Sequence, residues 1–543
     1  MTVTEALGME FDFIIVGAGS AGCVLANRLS ENGRYQVAVF EAGARDTNPW
    51  IHIPVGYFKT MGNPATDWCY RTEPDPGLNG RAINWPRGRV LGGSSSINGL
   101  LYVRGQPQDF DHWRQLGNAG WGWDDVMPLF RRSENWEGDG PGERGDVRGT
   151  GGALNVSAGR VSRPVIDAWV ESATTLGYPR TADYNGEDQE GVGYFQMTMR
   201  NGRRCSSAAA FLKPARKRGN LHIFTNAQTE AVILEGRRAV GIRLRRGSEL
   251  VEARARREVI LSAGALGSPH LLMLSGIGTG TDLQQHGIDV VTDLPGVGKN
   301  LQDHLQARPV YRTTGSTINS ETRHPLQYVG IALAYALRRT GPMAMAASLG
   351  TAFLKTRPEL ETPDIQFHIQ PFSADSLSEG THGFSAFTTS VLQLRPESTG
   401  HLELKSASPD DHIAIHPNYL ATKTDCETLV AGIKIARKVC ATDPVASMIT
   451  GEHAPGPKIA ETDDAAILEW ARNTATTIYH PTGTCKMGGD KMAVVDARLR
   501  VHGIEGLRVA DASIMPVITS GNTNAPSIMI GEKASDMVLE DAV

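Results

Sequence analysis

Residues 11–43, FDFIIVGAGSAGCVLANRLSENGRYQVAVFEAG, constrain the fold more than any other stretch. Phe11 to Val16 is apolar apart from Asp12, the pattern of a buried parallel strand. Gly17, Gly19 and Gly22 then spell G-x-G-x-x-G: the first permits a tight turn, the second lets backbone approach a pyrophosphate, and the third lets a helix pack close to the sheet. The spacing predicts a helix from about Ser20 to Ser30, with its N-terminal amides aimed at that phosphate pair. A second strand, Gln36 to Phe40, delivers Glu41, placed to accept hydrogen bonds from adenosine ribose hydroxyls. Strand, turn, helix, strand and acid stand in register for a dinucleotide, with NAD and FAD equally open.

A chain of 543 residues buries a large core and has room for two or more domains. Its net charge of −5 gives no reason to expect nucleic acid or an anionic membrane as partner. The start, MTVTEALGMEFDF, lacks the basic and apolar regions of a secretory signal, and the apolar stretch Tyr328 to Leu337 is too short to span a bilayer. The cysteines, Cys23, Cys69, Cys205, Cys426, Cys440 and Cys485, are scattered without a C-x-x-C pair, which suits a reduced cytosol, and a cytoplasmic location is expected. No H-E-x-x-H or similar spacing appears, so no metal site is expected.

Residues 137–152, EGDGPGERGDVRGTGG, read as an exposed loop or a hinge between domains. Gly92 and Gly93, followed by Ser94 to Ser96, read either as a second glycine-to-helix turn that offers amides and hydroxyls to a ligand or as a surface turn. Strands return from Asn220, and Glu258 to Ser262 leads through a small-residue turn into a helix with Pro269 expected at its first position. Between about Leu305 and Trp470, segments such as DIQFHI (364–369), TTSVLQL (388–394) and HLEL (401–404) alternate polar and apolar residues, which predicts antiparallel strands with one face less covered. Thr462 is expected to cap a helix opening on Asp463 and Asp464, and Asn524 to cap a terminal helix with Pro526 in its first turn.

Several motifs together resemble the glucose–methanol–choline (GMC) flavoprotein oxidoreductases over essentially the whole length: the fingerprint with Glu41, GRVLGGSSSING (88–99), GALGSPHLLMLSGIG (264–278), PGVGKNLQDH (295–304), YHPTGTCKMG (479–488), and VADASIMP with the NTNAP turn (509–526). The resemblance implies an α/β fold, with a Rossmann-like FAD domain of mostly parallel sheet from residues 1–155, 215–305 and 470–543. It also implies an inserted α+β substrate domain with antiparallel sheet from residues 156–214 and 306–469. FAD would be bound by Gly17, Gly19, Ser20, Ala21, Gly22, Glu41 and Ala42, by Val90, Gly93, Asn98 and Gly99 near the flavin, by Val232 near the adenine, and by Asp511, Ala512 and the Asn522 turn. The terminal helix would aim its positive end at the flavin pyrimidine and stabilise the anionic reduced ring.

In this reading His480 faces the flavin as base and Asn522 takes the second active-site position, donating to the developing alkoxide as hydride leaves the carbinol carbon. Two departures narrow it. Ile97 stands where some choline-oxidising relatives attach FAD through a histidine, so FAD is expected to bind noncovalently. Gln306 stands where choline-type enzymes tend to carry a glutamate for the quaternary ammonium, which favours an uncharged aliphatic or aromatic primary alcohol, although an aromatic cage could still hold choline. The expected acceptor is O2, a quinone or another electron acceptor. Alternatives are a choline dehydrogenase, a non-redox hydroxynitrile lyase of the same family, and, from the fingerprint alone, an NAD-dependent dehydrogenase.

Overall fold

A computed structural model of the chain describes residues 10–138, 147–322, 325–375 and 380–542. The first nine residues and much of the 137–152 segment therefore lie outside the described residues.

The first sheet is built on the strand Glu10–Val16, whose apolar side chains are buried. It pairs in parallel with Val37–Glu41 on one side and with the end of Glu249–Leu261 on the other, so Ile15 faces Val39 and Ile260. Leu221–Thr225 extends the parallel sheet beyond Val37–Glu41, and Leu507–Val509 extends it beyond Glu249–Leu261. An antiparallel meander, Gln228–Glu235 to Arg238–Arg246 to the start of Glu249–Leu261, grows from the same edge. Chain segments hundreds of residues apart thus complete one dinucleotide-type sheet, as the return of strands after Asn220 predicts.

The fingerprint helix is Ser20–Ser30. Gly17 adopts φ +97°, and a Cβ there would lie 2.5 Å from the Ser262 carbonyl oxygen, so only glycine fits. The terminal helix Asn524–Asp541 packs across the fingerprint helix, and the Glu532 carboxylate, fully buried, takes a bidentate pair from Arg28 and a further contact from Arg132. Asn524 is the first helical residue rather than the cap, because its side-chain oxygen accepts from Ser20 Oγ at 2.8 Å and ties the two helix starts together.

The second sheet is antiparallel and runs Ile449–Ala454, Val310–Thr313, Ala386–Gln393, Ile365–Gln370, Gly350–Leu354, Gly191–Tyr194. Every residue of Ala386–Gln393 is buried, so the alternation read as a half-exposed face is a sheet covered on both sides. His368 and Gln370, on the neighbouring strand, are polar because they line an internal cavity, not because they meet solvent. Two short strands, Leu305–Ala307 and Thr476–Thr477, pair with each other, and the first also pairs with Ala386–Gln393.

Among the described residues no helix is long and apolar enough to cross a membrane. Tyr328 to Leu337 falls within the helix Pro325–Arg338, which leaves Leu326, Val329, Leu333 and Leu337 exposed as a stripe. The helix expected after Thr462 begins one residue later: Asp463 is its cap and accepts from the Ala466 amide at 2.9 Å.

Pro269 lies inside its helix, Gly264–Leu274, and not at its start. The Gly264 amide donates to Asp511 Oδ2 at 2.8 Å, which starts the helix earlier than the proline alone suggests. A proline there leaves the carbonyl four residues back, that of Ala265, without its helical donor, and Thr484 Oγ1 supplies one at 2.6 Å. Replacing Thr484 with valine keeps the shape but strands a buried carbonyl, so Thr484→Val should lower the unfolding free energy by about 1–3 kcal/mol in urea titration. Thr484→Ser should lose much less; equal losses from both would show that the hydroxyl is not what matters.

Candidate active site

A cavity of about 540 Å³, within the usual range for small-molecule sites, runs between the two sheets. Its lining includes Glu41, Ala42 and Gln228, then Gly17, Gly19, Ser20, Ala21, Gly93, Asp511 and Ala512, and also Asn98, Gly99, His480 and Asn522. Of the residues expected to hold the cofactor, Gly22, Val90 and Val232 do not reach the cavity. Val90 packs with Ile51 and Ile97, and the Val232 amide donates to Ser275 Oγ at 2.8 Å; on that strand it is Gln228 and Thr229 that face the space.

The Glu41 carboxylate accepts from the Ala18 amide at 2.9 Å and the Gly43 amide at 2.8 Å, each on a different oxygen. Burial pushes its pKa up to about 7 despite both bonds. The glycine–serine motif does form a turn into a short 3₁₀ helix, Gly93–Ser96, and Gly93 adopts φ +53°. A Cβ on Gly93 would lie 2.7 Å from Gly19 Cα, so the two glycine turns touch backbone to backbone along the cavity. Arg204 Nη1 donates to Asn98 Oδ1 at 2.6 Å, which fixes that side chain and leaves its amide nitrogen for a ligand. Asp511 has a tying role: one oxygen takes the Gly264 amide and Ser268 Oγ, the other the Ser513 amide.

Two helix N-termini, those of Ser20–Ser30 and Asn524–Asp541, open on this cavity, one beside the glycine turns and one beside His480. Such ends favour anionic ligand groups. The buried Asn522 Oδ1 has no partner among the described residues. A glycine-walled space lined by a buried acid, two helix N-termini and an unsatisfied side-chain amide fits an FAD molecule.

His480 sits at the centre of a hydrogen-bonded chain. His304 Nε2 lies 2.8 Å from the Leu394 carbonyl, His304 Nδ1 lies 3.0 Å from His480 Nδ1, and His480 Nε2 lies 3.0 Å from Asn522 Nδ2. A carbonyl can only accept, so His304 carries its proton on Nε2 and its Nδ1 is an acceptor. His480 must then donate from Nδ1, which leaves the Nε2 lone pair free to accept. Burial, reinforced by His304, His368 and Arg87, holds the His480 pKa well below its usual value. The ring is therefore a neutral base at neutral pH.

The backbone beneath it is held as firmly. Asp303 Oδ1 accepts from the His480 amide at 2.7 Å, while Oδ2 accepts from Thr477 Oγ1 at 2.6 Å and from the Tyr419 hydroxyl. Burial raises the Asp303 pKa to about 6. Tyr479 is forced to φ +72°, a strained value for a tyrosine, and Arg87 Nη2 donates to its carbonyl at 2.6 Å. The roles of His304, Asp303 and Arg87 were not read from the sequence. LQDH was visible as a motif, but nothing in it says that its histidine meets another histidine 176 positions away.

The six cysteines are free; Cys485 is buried, and burial raises its pKa well above the usual thiol value. Outside the cavity lining, His401, Glu403 and His416 bring one ligand-type atom each within 4.8 Å of one another, across a strand pair in which His401 faces His416. That grouping depends on cross-strand pairing and leaves no ligand spacing in the sequence.

Comparison with known proteins agrees with this architecture. Sequence models of the GMC oxidoreductase family match residues 11–306 and 396–531. The chain is 44% identical to the oxygen-dependent choline dehydrogenase of Brucella suis biovar 1 (strain 1330), over 98% of this chain and 96% of that protein. It is 41% identical to the mitochondrial choline dehydrogenase of Mus musculus, over 97% of this chain and 89% of that one. Among solved structures it resembles pyridoxine 4-oxidase from Mesorbium loti, with a TM-score of 0.87 and 32% identity over 97% of this chain and 98% of the other. With the fingerprint, the glycine-walled cavity and the buried histidine in place, these likenesses make the chain a member of the GMC oxidoreductase family, an FAD-dependent enzyme acting on CH–OH donors.

Proposed function

We propose that the protein oxidises a primary alcohol bearing no cationic group to its aldehyde, with His480 as base and Asn522 as its partner in holding the alcohol oxygen. The observation that carries this is the Leu394–His304–His480–Asn522 chain, which leaves a neutral imidazole lone pair at the cavity surface. An alcohol that donates its O–H to His480 Nε2 and accepts from Asn522 Nδ2 replaces the direct bond between those two side chains. As the proton moves to Nε2, the oxygen gains negative charge that Asn522 stabilises, and the carbinol carbon becomes a hydride donor. Bound FAD supplies the hydride acceptor, and the electrons go on to O2 or another acceptor. Ile97, an apolar side chain at the cavity, offers no atom for a covalent link, which supports noncovalent binding. The cofactor domain is taken as residues 1–155, 215–305 and 470–543, with the substrate domain between.

Choline is the second reading, favoured by the names of the relatives above. Against it stand Gln306, an amide in place of a carboxylate, and Arg308, whose guanidinium lines the same cavity. A cation placed beside Arg308 meets repulsion. Choline and its neutral isostere, in which tert-butyl replaces trimethylammonium, separate the two readings: this account expects the higher kcat/KM for the isostere, and a clear preference for choline would overturn it.

Anaerobic addition of a good alcohol should bleach the flavin band of the wild type. His480→Ala should bind FAD and slow that bleaching by about 10²–10⁴-fold. His304→Ala should retain FAD but slow bleaching by about 10²-fold, because the His480 tautomer is no longer fixed, and His304→Gln, whose amide can accept from Nδ1–H, should recover part of the loss. Since the lowered His480 pKa keeps the base form down to acid pH, kcat/KM should stay flat above pH 6.5 and fall only below it; a fall that begins above pH 6.5 would contradict the buried neutral base.

A further inference from the structure

Arg308 lines the cavity yet makes no hydrogen bond or ion pair with any other described residue. Its surroundings are Tyr57, Tyr479 and, further off, Asp375, whose carboxylate is exposed and pairs with His382 Nε2 at 3.1 Å instead. Arg308 is half-buried, and burial lowers its pKa more than Tyr479, Tyr57 and Asp375 raise it. Tyr57 is only 2% exposed, lines the same cavity, and its hydroxyl has no partner. A buried hydroxyl donor and a guanidinium thus line the same wall, and no described residue supplies either with an acceptor. None of the carboxylates that line the cavity is among the groups facing Arg308: Glu41 and Asp511 are committed as above, Asp67 to the amides of Gly62, Cys69 and Arg87, Asp411 accepts from Ser406 Oγ, and Asp410 lies beside it. Tyr479, which Arg308 adjoins, precedes the base His480 in sequence, so this pair borders the space where the alcohol reacts.

We propose that Arg308 and the Tyr57 hydroxyl form an anion subsite, and that the alcohol oxidised at His480 carries a carboxylate, making the substrate class hydroxycarboxylates with a primary hydroxyl. The guanidinium fork matches a carboxylate in a bidentate way, and the tyrosine adds a third donor. The carboxylate takes no part in the chemistry: the hydroxyl proton goes to His480, the carbinol hydrogen leaves as hydride to bound FAD, and the product is the aldehyde acid. This rests on the alcohol-oxidising reading and narrows its non-cationic alcohol to an anionic one.

The test uses FAD-loaded wild type with a series of ω-hydroxycarboxylates, their methyl esters, the phosphate monoesters of matching diols, and plain alcohols of equal length. Expected is a kcat/KM for the hydroxycarboxylate at least about 30-fold above that for its ester, with Arg308→Gln abolishing this preference and slowing the hydroxycarboxylate at least about 10-fold more than the plain alcohol. Arg308→Lys, which keeps the charge but loses the fork, should retain part of it. In parallel, a simple alkanoate lacking the hydroxyl should perturb the flavin absorbance of wild type and Tyr57→Phe, more weakly in the latter, and not that of Arg308→Gln. Equal kcat/KM for acid and ester, an equal loss on all substrates in Arg308→Gln, or a preference for the phosphate ester over the acid would overturn the proposal. Oxidation of no alcohol at all, with alkanoate binding intact, would instead remove the functional reading and leave the subsite standing.

Discussion

A carbonyl oxygen cannot donate a hydrogen bond, and at the centre of this protein that constraint propagates through two histidines. The Leu394 carbonyl fixes the proton of His304, His304 fixes the proton of His480, and the His480 lone pair is left facing the cavity beside Asn522. In water an imidazole samples both tautomers and its protonated form. Here burial removes the charged form and the chain of bonds removes one tautomer, so a single chemical species remains. The proposed oxidation needs that species before the substrate arrives.

The rest of the fold holds this chain in place. His304 and His480 approach because their strands, Leu305–Ala307 and Thr476–Thr477, pair directly, and Leu394 follows the strand Ala386–Gln393 that receives the first of them. Asp303 then pins the His480 amide and Arg87 the Tyr479 carbonyl, which keeps the tyrosine in its left-handed conformation. The parallel sheet contributes the other wall, where Gly19 and Gly93 touch and two helix ends meet through Ser20 and Asn524. His480 is mounted where the antiparallel sheet meets the parallel one, and the glycine-walled side of the cavity is closed by residues drawn from both ends of the chain.

Local features were legible in the sequence. The fingerprint strand, helix and second strand fall within a residue of their expected limits, because glycine geometry, apolar patterning and the acid all act over short distances. His480, Asn522 and most of the residues expected to hold the cofactor sit in motifs, and they line the cavity. Features that depend on tertiary pairing were not legible. The polar residues of the Ile365–Gln370 strand look like a solvent face until the cavity behind them is seen. Pro269 looks like a helix start until Thr484 is found donating to the carbonyl it frees. His304, Arg308 and Tyr57 take their meaning from neighbours far away in sequence, and no local pattern encodes an unsatisfied donor.

The central claim is that His480 is held neutral, protonated on Nδ1, with Nε2 unprotonated toward the substrate. Nitrogen NMR of the FAD-loaded enzyme with ¹⁵N-labelled histidine, assigned by comparison with His480→Ala and His304→Ala, observes this directly. The account predicts a protonated Nδ1 and a bare Nε2 for His480 at neutral pH, with the tautomer lost in His304→Ala. A protonated Nε2, or an imidazolium at neutral pH, would contradict it.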